Sequence, residues 1–214
     1  MRYILTGFLS FFLFCTAVSA HAPKQITTFI TVPAGFTSYT VQQGDTWESI
    51  TANSKFAFLA MKVNRVDAKH LKSGMTVIIP VSTMAYQYVP VPKRIEAHAE
   101  RQLIVFLEEQ YFGAYENGTL VHWGPVSSGK NGRTRVGSFK ALWKDRWHRS
   151  SKYGLARMFF AVQYNGDYFT HEQDLPGYAA SHGCVRMLAE DASWKFQWIQ
   201  VGDAVTIVAG ISSL

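Results

Sequence analysis

The segment Ser181-His182-Gly183-Cys184-Val185-Arg186 places a cysteine directly after a glycine and two residues after a histidine. A cysteine that attacks a carbonyl needs a base to remove its proton and hydrogen-bond donors for the charge that develops on oxygen. His182, and His171 upstream of it, both lie close enough in sequence to supply that base. The segment therefore predicts that Cys184 is a nucleophile.

The neighbours of the cysteine fit that chemistry. Gly183 has no side chain, so a carbonyl oxygen can approach the backbone N–H groups around Cys184. Arg186 lies two residues beyond the cysteine, and in an extended segment both side chains share one face, where a guanidinium can bind a carboxylate. We also expect an imidazolium from the nearby histidines to lower the pKa of the thiol.

The N-terminus predicts an exported protein with one remaining cysteine. Arg2 precedes an apolar run, and Val18-Ser19-Ala20 offers the small residues that signal peptidase requires. We expect residues 1–20 to be a cleaved signal peptide, with an uncleaved N-terminal anchor as the alternative. Cys15 is removed with that peptide, so Cys184 has no disulfide partner in a compartment where thiols tend to oxidise. An unpaired cysteine there is either an inert buried thiol or a nucleophile.

Composition narrows the possible partners. The net charge of +6 favours an anionic partner, such as a wall polymer or a phospholipid surface. No dense Lys/Arg run is present, so we expect no nucleic-acid partner. The alternative role for His171, His182 and Cys184 is zinc binding, but a fourth ligand at ordinary spacing is not apparent. We expect no metal and no cofactor.

Periodicity predicts an α+β chain with a small first unit and a larger, mostly β second one. In the first unit, Asp45 is the expected N-cap of a helix and Glu48 completes a capping box. Pro90 and Pro92 lie in a connecting segment, residues 81–100, and Asn117-Gly118 is a strong hairpin-turn signal. The predicted elements are strands Tyr39–Val41 and Thr76–Ile79, helices Thr46–Asn53 and Ala57–Asn64, then strands Leu103–Leu107, Gln110–Tyr115, Thr119–His122, Gly137–Leu142, Met158–Gln163, Tyr168–His171 and Ala204–Val208, with a helix over Leu188–Ile199.

Residues 38–80 resemble a LysM domain, a module that binds peptidoglycan and chitin. The similarity rests on Tyr39-Thr40-Val41, Gly44-Asp45-Thr46, Asn64, and Leu71-Lys72-Ser73-Gly74-Met75 through Ile78-Ile79-Pro80. Trp47 follows Gly-Asp-Thr directly, where LysM domains usually have leucine first. The resemblance implies that this unit binds the glycan of the cell wall, and a spacer with a LysM-like fold is the alternative.

Residues 101–209 resemble the catalytic domain of the YkuD-type L,D-transpeptidases. The similarity rests on Tyr168-Phe169-Thr170-His171 and on Leu175 through Met187, with support from 124–129, 134–139 and 201–207. The resemblance implies that Cys184 is the nucleophile and His171 the general base. It further implies that Ser181, His182 and Gly183 shape the site and its oxyanion hole, and that Arg186 binds substrate.

The implied reaction joins cell-wall peptides through a cysteine thioester. The thiolate attacks a tetrapeptide stem of peptidoglycan and releases D-alanine, and an amine then takes the acyl group. Water as the acceptor would make the protein an L,D-carboxypeptidase or crosslink hydrolase. NlpC/P60 and papain-like peptidases fit poorly, because their cysteine precedes the histidine, and Ser-His-Gly-Cys is not a sortase motif. We expect a periplasmic protein without a stable membrane anchor after signal cleavage.

Two departures from the family pattern bear on activity. Glu172 follows His171 where many relatives have glycine, and the interval from His171 to Ser181 is shorter than in many members. The carboxylate of Glu172 is expected to raise the basicity of the neighbouring imidazole. It also motivates the alternative of a catalytically inactive wall-binding protein.

Overall fold

The computed structural model describes residues 31–214 and contains two β-sheets, one of two strands and one of nine. The expected signal peptide, residues 1–20, lies outside the described residues. Within residues 31–214, no helix combines the length and apolar character needed to cross a membrane.

The N-terminal unit, residues 36–80, has the predicted order of strand, helix, helix, strand. Its elements are β1 (Phe36–Thr40), α1 (Trp47–Ile50), α2 (Ser54–Asn64), a 3₁₀ turn (Ala68–His70) and β2 (Thr76–Pro80). β1 and β2 pair antiparallel, and the fully buried Trp47 ring lies in the core between the sheet and the helices.

The predicted cap of α1 is wrong by one residue. Thr46 is the N-cap, and its side chain and that of Ser49 each accept a hydrogen bond from the backbone N–H of the other residue. Glu48 lies one position short of the residue that faces back to the cap. Asp45 instead stabilises the preceding turn, where its carboxylate accepts from the N–H of Gln42 at 2.7 Å and from the hydroxyl of Tyr39 at 2.8 Å.

The C-terminal unit, residues 101–208, is built on the nine-stranded sheet. Its strands follow the spatial order β6-β11-β3-β4-β5-β10-β9-β8-β7. Helix α3 (Ala189–Trp198) packs against β8 and β9. The strands are β3 (Arg101–Phe106), β4 (Tyr111–Glu116), β5 (Thr119–Ser127), β6 (Gly137–Lys140), β7 (Trp143–Arg149), β8 (Arg157–Asn165), β9 (Tyr168–Glu172), β10 (Val185–Met187) and β11 (Ala204–Val208).

Two strands in the middle of the sheet bring the predicted site together. β10 pairs in parallel with β9, so that Arg186 lies opposite His171, and it pairs antiparallel with β5 on its other side. Val185 and Met187 are fully buried in the main core. Because side chains alternate across a strand, Cys184 and Arg186 lie on the opposite face from these two core residues.

Buried polar contacts join the two units. The ammonium of Lys62 on α2 donates to the Trp123 carbonyl at 2.6 Å and to the carboxylate of Asp191 at 3.0 Å. The hydroxyl of Tyr111 donates to the Val63 carbonyl at 2.6 Å. Buried groups of this kind are costly to leave without partners, so they favour one fixed arrangement of the two units.

Candidate functional site

Cys184 lies at the end of the cysteine loop, residues 173–184, which leads from β9 into β10. It is a free and half-buried thiol, and its sulfur lies 3.7 Å from the Asp167 carbonyl oxygen. The parallel register opposes Val185 to Thr170 and Arg186 to His171. Cys184 and His171 therefore project from the same face of two adjacent strands.

His171 has a defined tautomer. The ring is 5% exposed, and its Nδ1 lies 2.8 Å from the backbone carbonyl oxygen of Glu172. Because a carbonyl only accepts hydrogen bonds, Nδ1 carries the hydrogen in the neutral ring and Nε2 keeps its lone pair. The geometry therefore supplies one basic nitrogen on the ring.

The imidazole of His171 is neutral at physiological pH. Burial lowers its pKa from 6.5 to about 4, and the positive charges of Lys195 and Arg186 act in the same direction. The contact with the Glu172 carbonyl opposes this shift but does not outweigh it. Lys195 belongs to the support of this strand, since its buried ammonium donates to the carbonyl of Thr170 at 3.2 Å.

The expected imidazolium beside the thiol is wrong. Burial raises the pKa of Cys184 above its ordinary value, although a backbone hydrogen bond from Phe169 and the charge of Arg186 oppose the shift. A desolvated site disfavours both charged forms, so the resting pair is a thiol and a neutral imidazole. Such a pair forms the thiolate only as the proton moves to His171 during attack.

Ser181 holds the turn that presents the cysteine. Its buried hydroxyl donates to the Cys184 carbonyl at 2.5 Å and accepts from the N–H of Gly183 at 3.0 Å. The Gly183 N–H therefore points into the turn and is not free to stabilise an oxyanion. Gly183 itself has φ +141°, and a Cβ there would lie 2.5 Å from the ring of Tyr168, so the close approach requires glycine.

A second layer of hydrogen bonds fixes the other end of this turn. The hydroxyl of Thr134 donates to the Gly183 carbonyl at 2.7 Å and accepts from the N–H of Gly129 at 2.7 Å. The N–H of Ser181 donates to the carbonyl of Ser128 at 3.0 Å. In the sequence, Thr134 and Gly129 stand out only through the family resemblance, because their distance along the chain hides their contact with the turn.

The remaining predicted residues lie around this centre in different settings. His182 is exposed, and its ring stacks on Tyr153 with centroids 5.0 Å apart. Arg186 is half-buried, and its charge lowers the pKa of the Cys184 thiol. Among the predicted residues, His171, Cys184 and Arg186 thus share the face formed by β9 and β10.

Glu172 does not act on the imidazole as expected. Its contact with His171 runs through the main-chain carbonyl, while burial and the neighbouring acids Asp174 and Glu190 raise the pKa of its side chain. The part of the chain from residue 31 onward contains no group of three His, Cys, Asp or Glu side chains arranged to hold a metal ion.

This chain is similar in sequence to known proteins. The family model described as the YkuD L,D-transpeptidase catalytic domain matches residues 100–207. L,D-transpeptidase 1 of Mycobacterium tuberculosis is 31% identical in an alignment of 115 residues, which covers 45% of this chain and 46% of that protein. This chain therefore spans about half the length of the curated relative it matches.

Solved structures share the fold. An L,D-transpeptidase from Stackebrandtia nassauensis superposes with a TM-score of 0.51 at 24% identity, covering 57% of this chain and 62% of that one. An L,D-transpeptidase from Xylanimonas cellulosilytica gives a TM-score of 0.54 at 22% identity, over 72% of this chain and 80% of that one. With the family model matched over half of its length, the chain belongs to the YkuD family of L,D-transpeptidase catalytic domains.

Proposed function

We propose that this protein is a peptidoglycan L,D-transpeptidase in which Cys184 is the nucleophile and His171 the general base. The observation that carries the proposal is the shared face of β9 and β10, where a neutral imidazole with a free Nε2 accompanies a half-buried thiol. A neutral imidazole can accept the thiol proton, whereas an imidazolium cannot. Family membership supports the same reaction class.

The first half-reaction forms a thioester. As Sγ of Cys184 attacks the carbonyl carbon of the third residue in a tetrapeptide stem, its proton moves to Nε2 of His171. The tetrahedral intermediate then breaks the bond to the terminal D-alanine, whose nitrogen takes that proton from the imidazolium. Because Gly183 N–H is engaged with Ser181, the backbone N–H of Cys184 is the donor we assign to the oxyanion.

The second half-reaction returns the enzyme to its starting state. An acceptor amine gives a proton to His171 and attacks the thioester carbonyl, and the departing sulfur recovers that proton. The amine belongs to another stem peptide, giving a 3-3 crosslink, or to a lysine of a protein to be anchored. Water in its place would make the protein an L,D-carboxypeptidase or crosslink hydrolase on the same site.

Arg186 is assigned to substrate binding. It lies on the face of β10 that carries Cys184, and its charge reaches the thiol. A guanidinium there can pair with a carboxylate of the stem peptide. Ser181 and Gly183 shape the turn, and His182 borders the site at the surface through Tyr153.

The N-terminal unit is assigned as a LysM module, residues 38–80, that binds the glycan of peptidoglycan. Its strand–helix–helix–strand order and the resemblance of its motifs support this. We assign residues 81–100 to a connecting segment and 101–209 to the catalytic domain. Removal of a signal peptide over residues 1–20 would place the protein in the periplasm without a stable membrane anchor.

Purified muropeptides test the activity. Incubation with tetrapeptide muropeptides should release D-alanine and yield crosslinked or hydrolysed products, which mass spectrometry separates. Cys184→Ser should lower turnover by at least about 1,000-fold, because a hydroxyl is far less acidic than a thiol and His171, with a pKa of about 4, is a weak base for it. Absence of both D-alanine release and crosslinks in the folded wild-type protein would favour the inactive wall-binding alternative.

A further inference from the structure

The cysteine loop is held at its start by the N-terminal unit. The backbone N–H of Asp67, which follows α2, donates to the Leu175 carbonyl at 3.0 Å. Its carboxylate accepts from the Leu175 N–H at 2.6 Å. Val66 and Pro176 form an antiparallel bridge beside these bonds. One residue of the N-terminal unit thus satisfies both backbone groups of Leu175, whose side chain is fully buried.

The carboxylate of Asp67 is itself fixed. Its second oxygen accepts from the N–H of His70 at 3.0 Å and lies 2.8 Å from Nδ1 of the same residue. The side chain of Asp67 is 18% exposed. A carboxylate held by both oxygens cannot rotate to follow a moving loop, so it imposes a position on Leu175.

The remainder of the loop is anchored from the other side by β5. The hydroxyl of Ser127 donates to the Tyr178 carbonyl at 2.7 Å and accepts from the N–H of Ala180 at 3.2 Å. The loop therefore runs between an anchor in the N-terminal unit and one in the C-terminal unit, immediately before the turn that carries Cys184. Burial lowers the pKa of the Arg186 guanidinium, and the negative charge of Asp174, next to Leu175, opposes that shift.

We propose that Asp67 is a positioning residue of the active site, acting through Leu175 on the path of the cysteine loop. The N-terminal unit is then a structural part of the active site in addition to any role in wall binding. The kinetic part of this inference rests on the proposed function. Leu175 lies only nine positions before Cys184, so a displacement at Leu175 is transmitted to Cys184 over a short stretch of chain.

The test compares Asp67→Ala with a matched control. Asn53→Ala removes the side-chain N-cap of α2, which accepts from the Phe56 N–H at 2.9 Å and makes no hydrogen bond to the cysteine loop. Both variants lose a side-chain cap within the same unit, and Asp67→Ala should lose more thermal stability because the Leu175 N–H also loses its partner. Their kcat values are therefore compared at a temperature at which both variants are fully folded. Asp67→Ala should lower kcat for D-alanine release about tenfold, while Asn53→Ala should stay within about twofold of wild type.

A more conservative variant tests the same contact. Asp67→Asn keeps one oxygen for the Leu175 N–H and should recover part of the lost kcat. Equal kcat values for Asp67→Ala and Asn53→Ala would overturn the proposal.

If the wild-type protein releases no D-alanine, the proposed function fails and the positioning role is judged separately. Hydrogen exchange at the Leu175 amide and alkylation of Cys184 by iodoacetamide should both change in Asp67→Ala and not in Asn53→Ala. Unchanged values of both would overturn the positioning role without reference to turnover.

Discussion

Two loops border the proposed active site, and they are held in contrasting ways. The cysteine loop, residues 173–184, donates backbone hydrogen bonds to Asp67, Ser127 and Ser128 in distant parts of the chain. The hairpin loop, residues 150–156 between β7 and β8, is closed by bonds among its own residues and touches the site through the stacking of Tyr153 on His182. Long-range buried hydrogen bonds hold a backbone in place, whereas local exposed ones break more readily. We therefore expect the cysteine loop to be rigid and the hairpin loop to be mobile.

The largest expected difference comes from one glycine in each loop. Gly183→Ala should lower kcat/KM at least about 100-fold, because the new methyl group would overlap the ring of Tyr168 and displace Cys184. Gly154→Ala should cost less than about threefold, since Gly154 also has a positive φ but nothing lies within 4 Å of its Cβ position. Kinetics of D-alanine release check both, and equal losses would erase the contrast between the loops.

Acid should inactivate the site only well below neutral pH. His171 has a pKa of about 4 in the folded protein, so it stays a base as the pH falls through 6.5. We expect kcat/KM to hold from pH 7 to about pH 5 and to fall with a midpoint near the pKa of His171. A pH profile in which half of the activity is lost near 6.5 would show a solvated imidazole and contradict the buried geometry.

Removal of the Thr134 hydroxyl should loosen the cysteine loop without creating a cavity. Thr134→Val keeps the shape of the side chain but leaves the Gly183 carbonyl and the Gly129 N–H without their partner. We expect unfolding free energy to fall by about 1–3 kcal/mol and kcat to fall about tenfold. Thr119→Val, at the exposed first residue of β5, is the control, and chemical denaturation should show a change below about 0.5 kcal/mol there.

The smallest effects should come from the exposed ion pair beside each loop. Lys69 pairs with Asp174 of the cysteine loop at 2.7 Å, and Lys152 pairs with Asp167 near the hairpin loop at 3.2 Å. Water screens both pairs, so Lys69→Ala and Lys152→Ala should each leave the midpoint of chemical denaturation close to that of the wild-type protein. A large loss of stability in Lys69→Ala would mean that the ion pair, and not the hydrogen bonds between Asp67 and Leu175, holds the cysteine loop.

Local chemistry explains which elements the sequence predicts. Asn117 and Gly118 both adopt positive φ, as the hairpin signal requires, and the final strand has its predicted bounds. β7 (Trp143–Arg149) is not predicted, because it is an edge strand rich in charged residues and its sequence lacks alternation of apolar and polar positions. The cap at Thr46 was displaced by one residue because Asp45 and Thr46 are both good caps, and only the turn geometry chooses between them.

The residues of the site also divide into those that local sequence predicts and those that it does not. Cys184 and His171 are visible in the sequence because they lie near each other in a specific motif. Asp67 and Thr134 are not, since their contacts depend on how the two units and the β5–β6 connection fold back. The protonation state of the pair was also beyond the sequence, because burial rather than neighbouring residue type decides it.

The central claim, a thioester on Cys184 formed with the help of a neutral His171, has a direct test. The protein is mixed with a tetrapeptide stem whose side-chain amine is blocked by acetylation, quenched in acid, and digested for mass spectrometry. The account predicts an adduct on Cys184 with the mass of the stem less its terminal D-alanine, absent in Cys184→Ala and slow to form in His171→Ala. An adduct on another residue, or none in the folded wild-type protein, would contradict it.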